Sequence, residues 1–194
     1  MYGEEKMDIL MIIGFVLCLA GSLYIGYEIV ISKNLKYPPF LPSCGAVKKA
    51  LLAEASKYLE AGARSLKAVD LGCGTGSLLF PLAAKYPHHR FEGYEWDRVV
   101  CSIAQRRAAK YENVKIFRQD FTTASLNDVD VVLCFLSAEL SDDLSAKFKK
   151  ELPKHAVVIS SAFELKGLKC SKSYESSFCR VPLKIYVYEM SDMK

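Results

Sequence analysis

The strongest structural signal in this 194-residue chain is the segment Val69-Asp70-Leu71-Gly72-Cys73-Gly74-Thr75-Gly76-Ser77. A strand-like apolar run leads into it, and a helix-like run follows. Glycines at alternate positions let the backbone turn sharply and lie close to a ligand. Such a loop after a parallel strand predicts a nucleotide-type cofactor. Dinucleotide-binding chains usually carry Gly-x-Gly-x-x-Gly; here the third glycine comes one position early. The loop alone also fits a purely structural turn.

Short apolar runs alternate with helical patterns on both sides of this segment. Strands are expected over 66–71, 90–95, 114–118, 129–136 and 156–161, and helices over 45–61, 78–85, 98–111 and 140–150. Two further strands, over 177–179 and 184–189, are expected to be antiparallel. Alternation of this kind specifies a parallel sheet with right-handed crossovers. The expected fold class is therefore α/β, with a doubly wound, mostly parallel sheet.

Three acidic residues fall at the carboxyl ends of successive predicted strands. They are Asp70, Glu95 and Asp120, spaced 25 residues apart, which is about one strand–helix unit per step. Ligands of open parallel sheets lie over these strand ends. Glu95 is predicted to accept hydrogen bonds from ribose hydroxyls and Asp120 from an adenine amino group. Trp96 and Phe121 are predicted to cover the adenine faces with apolar surface.

Other polar residues compete for these roles. Each carboxylate could instead cap a loop or lie in solvent. Asp97 competes with Glu95 for the ribose, and Glu95 is preferred because it directly ends the apolar run. His88 and His89 lie in a predicted surface turn before the second strand, and His155 precedes the fifth. These histidines are at the wrong end of their strands for the site.

Composition narrows the function classes. A net charge of +4 is too small to indicate nucleic acid as a partner. The seven cysteines form no Cys-x-x-Cys pair and have no histidine at zinc spacing, so no metal site is expected. The hydrophobic fraction of 51% is high for a soluble protein and suggests a membrane segment.

That membrane segment is predicted at residues 9–31, where 19 residues from Ile9 to Tyr27 carry no charge. Such a run can span a hydrocarbon core of about 30 Å. A cleaved signal peptide and a buried core helix are the alternatives. Residues 1–8 form a flank, 32–44 a proline-rich connector and 45–194 the globular domain. Four lysines follow the run closely and only Lys6 precedes it, which predicts a single-pass protein with its domain on the cytoplasmic side, or the matrix side in an organelle.

Taken together, Asp70–Ser77, Glu95 and Asp120 resemble the signature of class I S-adenosylmethionine-dependent methyltransferases. A narrower likeness adds the membrane helix, Pro39-Phe40-Leu41-Pro42-Ser43 and Gly93-Tyr94-Glu95. It is similar to the membrane-anchored protein-lysine methyltransferases that act on the ATP synthase c-subunit and on the adenine nucleotide translocase. Members often have Gly-Ser-Gly-Asp-Gly-Arg where this chain has Gly72-Cys73-Gly74-Thr75-Gly76-Ser77.

The resemblance implies a Rossmann-like fold and S-adenosyl-L-methionine as cofactor. The cofactor-binding residues implied are Asp70, Gly72, Cys73, Gly74, Gly76, Glu95, Trp96, Asp120 and Phe121. Asp70 and the glycine backbone would hold the methionine ammonium and carboxylate. The segment before the domain would contribute Phe40, Pro42 and Ser43 to the site. Phe135, Ser137 and Glu139, after the fourth strand, would face the methyl group.

Glu139 has two interpretations. It could accept a proton or orient an ammonium group, or it could cap the helix that follows, where a first-turn acid is favourable. The function expected is lysine methylation of a membrane protein. Methylation of a lipid or quinone, and a non-catalytic cofactor-binding module, remain alternatives, because a fold alone does not establish activity. Neither the acceptor nor the oligomeric state follows from the sequence.

Overall fold

The computed structural model describes residues 9, 11–23, 26, 45–62, 64–136, 138–178 and 181–192. The chain divides into two compact units, Met1–Phe40 and Leu41–Lys194. In the first unit, residues 11–23 are helical and exposed. Among the described residues, no helix is both long enough and apolar enough to cross a membrane. Residues 10, 24, 25 and 27–31 of the predicted span lie outside the described residues. The predicted connector, with Phe40, Pro42 and Ser43, lies outside the described residues.

The second unit contains a seven-stranded sheet. Its strands are β1 (Lys67–Leu71), β2 (Arg90–Glu95), β3 (Val114–Arg118), β4 (Val131–Cys134), β5 (Val157–Ser161), β6 (Lys172–Phe178) and β7 (Val181–Glu189). Its α-helices are α1 (Gly45–Ala61), α2 (Leu79–Lys85), α3 (Arg98–Ala108) and α4 (Ser141–Glu151). Short 3-10 turns cover Phe121–Thr123, Ala138–Leu140 and Met190–Asp192.

The strand order is β3-β2-β1-β4-β5-β7-β6. Strands β1 to β5 are parallel to one another, and β7 pairs antiparallel with both β5 and β6. The chain order reverses between β1 and β4, which is the switch point where ligands of such sheets bind. We call the side formed by the carboxyl ends of β1–β5 the carboxyl edge and the opposite side the amino edge.

Alternate strand residues pack on opposite faces of the sheet, as the pleat requires. Ala68, Leu133 and Ile159 belong to the main apolar core, together with side chains of α1, α2 and α3. Leu144 and Phe148 of α4 are buried but lie outside that core. Because helices bury apolar side chains against both faces, the central strands β4 and β5 carry no charged residue. The predicted doubly wound α/β class is confirmed.

The largest differences from the predicted elements occur at β4 and β6. The apolar run 129–136 forms a strand only over Val131–Cys134, because the Asp130 carboxylate accepts the Lys67 N–H at 2.7 Å and fixes the start of the strand. Strand β6 extends over Lys172–Phe178, well before the predicted 177–179. Its Lys-Ser-Tyr-Glu-Ser-Ser-Phe sequence is mostly polar because β6 is an edge strand, paired only with β7.

Candidate active site at the carboxyl edge

The glycine loop after β1 is held by hydrogen bonds to the end of β2. The N–H groups of Gly72 and Cys73 both donate to the Tyr94 carbonyl, at 2.9 and 3.0 Å. Gly72, Gly74 and Gly76 have φ values of 74°, 56° and 79°, in the left-handed region. Three of the five residues from 72 to 76 therefore adopt a conformation that side chains disfavour, which explains why the motif needs glycine at alternate positions.

Gly76 has a second reason to lack a side chain. A Cβ at this position would lie 2.2 Å from Cε2 of Phe80, on the first turn of α2. The Phe80 ring is itself held, since it stacks on Tyr111 with centroids 5.1 Å apart. Arg107 of α3 lies over the same ring and donates to the Thr75 carbonyl at 2.7 Å. The loop is therefore fixed between α2 and α3 before any ligand binds.

Glu95 faces the glycine loop from the end of β2. Its Oε2 accepts the Gly74 N–H at 3.0 Å, and its Oε1 accepts the Asp97 N–H at 2.9 Å. The residue is only 7% exposed. Burial raises the pKa of Glu95, although the N–H groups of Asp97 and Gly74 act in the opposite direction. Each carboxylate oxygen has about two acceptor sites, so the bonds from the Gly74, Asp97 and Trp96 N–H groups orient the carboxylate without using all of its acceptor capacity.

Asp70 is a buried carboxylate without a partner. It is 3% exposed, and no hydrogen bond or ion pair reaches it from the described residues. Burial, and then the negative charge of Glu95, raise the pKa of Asp70 to about 7. A buried carboxylate that ionises without a partner lowers the stability of the fold unless a cation neutralises it. The site therefore has a ready place for a positively charged ligand group.

Asp97 and Asp120 both act as caps. The Asp97 carboxylate accepts the Val100 N–H at 2.8 Å at the start of α3. Asp97 is thereby committed to the helix, and Glu95 is the acid that contacts the glycine loop. Asp120 Oδ1 accepts the N–H and the hydroxyl of Thr122, at 2.8 and 2.7 Å. These bonds orient the Asp120 carboxylate after β3, and its predicted contact with adenine stays a prediction.

The two aromatic residues predicted to cover adenine differ in exposure. Trp96, next to Glu95, is 37% exposed, whereas Phe121 is buried in the 3-10 turn after β3. Cys73, in the loop, is buried, and burial raises the pKa of its thiol well above its usual value. Cys73 is therefore a neutral, apolar part of the loop at physiological pH.

The predicted methyl-facing segment follows β4. Phe135 is half-buried, and Glu139 is exposed in the 3-10 turn Ala138–Leu140 that leads into α4. Ser137 lies outside the described residues. Glu139 is exposed just before the start of α4. This position suits a residue that caps the helix, and it equally suits an acid that faces the methyl acceptor, so both predicted roles stay open.

Sequence reasoning missed the turn that follows β5. Ala162 has a φ of 80°, the one positive φ of a non-glycine among the described residues. The turn is held by the Ala162 N–H on the Lys184 carbonyl at 2.9 Å and by the Ser160 hydroxyl on the Phe163 carbonyl at 3.2 Å. Strained residues cluster at functional sites. Phe163 is 44% exposed at the carboxyl edge. Its only signal in the sequence was an aromatic residue two positions after a predicted strand.

The histidines are at the amino edge, as predicted, but His89 is not on the surface. It is fully buried; its Nδ1 accepts the Leu66 N–H at 3.1 Å, and its Nε2 lies 2.9 Å from the Leu59 carbonyl. It links α1 to β1, which sequence proximity could not reveal. His155 Nε2 lies 2.9 Å from the Asp130 carboxylate, also far along the strands from the glycine loop.

The residues at the carboxyl edge fit S-adenosylmethionine. The orphaned Asp70 carboxylate suits the methionine ammonium, and Glu95 has acceptor sites left for vicinal hydroxyls. The glycine loop provides the close backbone approach that a nucleoside ligand requires. A phosphate-bearing dinucleotide fits less well, because two buried acids would face its anionic groups.

Several solved structures share this fold. An RNA methyltransferase from Salinibacter ruber, solved with S-adenosyl-L-homocysteine, is 18% identical with a TM-score of 0.67, over 79% of this chain and 96% of that one. TrmN from Thermus thermophilus is 17% identical with a TM-score of 0.61, over 74% of this chain and 48% of that one. A precorrin 8w decarboxylase from Methanobacterium thermoautotrophicum is 17% identical with a TM-score of 0.56, over 78% of this chain and 95% of that one. At these identities the likeness shows the fold alone.

No curated protein matches the chain by sequence. A family model, described as the ANTKMT methyltransferase domain, matches residues 70–172, which is more than half of the chain. The matched region begins at Asp70, and it includes Glu95, Asp120 and the turn after β5. The predicted class, a methyltransferase that uses S-adenosyl-L-methionine, is confirmed. The chain belongs to the ANTKMT methyltransferase domain family.

Proposed function

We propose that this protein is a membrane-anchored lysine N-methyltransferase whose acceptor is a membrane protein. The observation that carries the proposal is the orphaned, buried Asp70 beside a glycine loop that is already bonded to Glu95, in a chain of this methyltransferase family. The family's name and the resemblance to lysine methyltransferases of membrane proteins support the choice of acceptor.

The chain's own residues have distinct tasks in this reaction. S-adenosylmethionine supplies an activated sulfonium methyl group. Glu95 accepts the ribose hydroxyls, and Asp70 neutralises the ammonium. The prebonded loop holds the nucleoside in place, so little ordering remains to be done on binding. Correct alignment of an acceptor can lower the barrier by about 7–11 kcal/mol at best, so positioning is the main task left to the chain's residues.

The acceptor side of the site is open. Only residues 162–171 separate β5 from β6, so the chain places no long insertion over this part of the carboxyl edge. An open edge suits a large acceptor better than an enclosed small molecule. The exposed Phe163 ring offers a face for the alkyl chain or the ammonium of a lysine.

The membrane anchor is proposed from the sequence. The uncharged run 9–27 has the length of a span, and residues 11–23 within it are helical and exposed. The lysines that follow the run support a cytoplasmic or matrix location for the methyltransferase domain. S-adenosylmethionine is available on that side.

The test is to incubate the full chain with methyl-labelled S-adenosylmethionine and membranes, and then to separate protein from lipid by organic extraction. Label in protein that hydrolysis recovers as methyllysine supports the proposal. Label in the lipid extract alone overturns it in favour of a lipid or quinone acceptor. Cofactor binding without any labelled product identifies a non-catalytic binding module.

Two variants make this assay specific. Asp70→Asn should lose most of the labelling because the ammonium loses its counter-charge. Arg106→Glu, on the exposed side of α3, should label as the unmodified chain does. Flotation of the full chain with membranes after high-salt washing tests the anchor separately.

A further inference from the structure

A second concave site lies at the amino edge, away from the glycine loop. It has a volume of about 480 Å³ and is lined by Lys149, Lys154, Lys169, Leu152, Met190 and Asp192, with Gly167 completing the wall. We call it the lysine pocket. A cavity of this size is within the range of small-ligand sites.

The three lysines of the pocket have no counter-ion. No ion pair or hydrogen bond reaches their ammonium groups from the described residues. Neighbouring lysines behave differently. Lys147 pairs with Glu151 at 2.8 Å, and Lys166 lies 4.0 Å from Asp142. Three unpaired positive charges around one concavity raise the local potential and favour an anion.

Asp192, which is the acid among the described residues of the pocket, is already engaged by hydroxyl groups. Asp192 Oδ2 accepts from the Ser171 hydroxyl at 2.9 Å, and its Oδ1 accepts from the Ser191 hydroxyl at 3.4 Å. The carboxylate is thus bonded to hydroxyls and makes no ion pair with the lysines. The balance of charge in the pocket remains positive.

The lysines come from separate parts of the chain. Lys149 lies in the last turn of α4, where a cation is favourable for the helix by itself. That explanation does not extend to Lys154, which precedes β5, or to Lys169, which lies in the segment before β6. The fold therefore gathers three charges that helix electrostatics alone does not require.

The base of the pocket is apolar and fixed by the backbone. Leu152 and Met190 are almost fully buried. The Leu152 N–H donates to the Phe148 carbonyl at 3.0 Å, and the Met190 N–H donates to the Ala156 carbonyl at 2.9 Å. A matching ligand would have one strongly anionic group, which the lysines would contact. It would also have a small apolar part, which would pack on Leu152 and Met190.

We propose that the lysine pocket binds a phosphate monoester. A phosphate ester carries close to two negative charges near neutral pH and offers three acceptor oxygens, one for each lysine. The cavity is larger than a phosphate group, so the remaining volume takes the esterified organic part against Leu152 and Met190. The ester can be a soluble metabolite or the headgroup of a phosphatidic acid-type lipid.

The test measures lysine reactivity in the full chain. The detergent-solubilised protein is labelled with acetic anhydride, and the rate at each lysine is read by mass spectrometry, with and without phenyl phosphate. We expect saturable protection of Lys149, Lys154 and Lys169. The exposed Lys110, beyond the end of α3, should show none.

A parallel arm uses vesicles of phosphatidylcholine, with or without phosphatidic acid. Protection by phenyl phosphate identifies a soluble ester as the natural source, and protection by phosphatidic acid alone identifies a lipid. Either result supports the phosphate site. Absence of protection in both arms, or equal protection of Lys110, overturns the proposal.

A charge-matched pair of variants completes the experiment. Lys149→Glu/Lys169→Glu should weaken phenyl phosphate binding on the order of 100-fold, since each lost charged hydrogen bond corresponds to about tenfold. Arg106→Glu/Lys110→Glu changes the net charge equally, at exposed positions outside the pocket, and should have little effect. Unchanged affinity of both variants for S-adenosylmethionine verifies that the domain is folded.

Discussion

Replacing Asp70 by Asn should separate two roles of this carboxylate. The aspartate destabilises the free protein because it is buried and has no partner among the described residues. It attracts the cationic cofactor because it has a negative charge. Asparagine has nearly the same shape but no charge. The variant should therefore be more stable than the unmodified protein at alkaline pH, and it should bind S-adenosylmethionine more weakly.

The magnitude follows from the pKa of Asp70, which burial and Glu95 raise from 3.8 to about 7. At pH 6 about a tenth of Asp70 is ionised, and at pH 8 about nine tenths. If only the ionised form accepts the ammonium, affinity for the cofactor rises about tenfold between these pH values. Loss of the charged partner in Asp70→Asn should weaken binding about 10–100-fold at pH 8.

Stability should change with pH in the opposite sense. The raised pKa means that the folded protein holds the Asp70 proton more tightly than the unfolded chain does. This contribution to stability is fully present below pH 3.8 and is lost as the pH rises towards 7. The shift corresponds to a free energy on the order of 4 kcal/mol. Asp70→Asn should remove this loss.

Titration calorimetry provides the binding assay. The dissociation constant of S-adenosylmethionine is measured from pH 6 to 8 in two buffers with different ionisation enthalpies, which also reports proton release on binding. Chemical denaturation without the cofactor gives the stability series. Because the cofactor's own amine can titrate, Asp70→Asn is measured under the same conditions. A pH slope that is equal in both proteins would refute the assignment of Asp70 to the ammonium.

Three further changes test other parts of the site. Glu95→Ala should weaken S-adenosylmethionine binding about 100-fold by calorimetry, because the charged acceptor for the ribose hydroxyls is lost. Gly76→Ala should lower the free energy of unfolding by at least about 2 kcal/mol in denaturant titrations, since φ is 79° and the new Cβ meets the Phe80 ring. Phe163→Ala should lower kcat/KM for the protein acceptor while the cofactor dissociation constant stays constant.

Asp97→Ala is the matched comparison for Glu95→Ala. Asp97→Ala removes the cap of α3 and should cost about 1 kcal/mol of stability with little effect on cofactor affinity. Equal losses of affinity in Glu95→Ala and Asp97→Ala would contradict the ribose assignment. An unchanged stability of Gly76→Ala would contradict the loop geometry. A Phe163→Ala variant with weakened cofactor binding would show that the ring acts on the cofactor side.

Sequence patterns predicted the parallel part of the sheet well. Strands β1, β2, β3 and β5 lie at or within one residue of their predicted bounds, because each contains apolar residues that the fold buries. The antiparallel pair was predicted less accurately. Strand β6 is polar and paired on one side only, so its hydrogen bonds, rather than its side chains, define its length.

The sequence predicted which residues form the candidate site, but it did not predict their hydrogen bonds or backbone conformations. Asp70, Glu95 and Asp120 could be named from a spacing of 25 residues, since parallel strands bring their carboxyl ends to one edge. The assignment of Asp97 to a helix cap needed the hydrogen bond to Val100. The strained Ala162 could not be foreseen, because nothing about an alanine signals a positive φ.

The sequence by itself determined the fold class, the glycine loop and the acids at the strand ends, because these depend on periodicity and local backbone freedom. Only the tertiary structure decided that Asp70 is buried with no partner in the described part of the chain, and that Glu95 is bonded to the loop. It also decided that three distant lysines line one pocket. Burial, pKa and charge clustering depend on what each group meets across the fold, and no spacing along the chain specifies those neighbours.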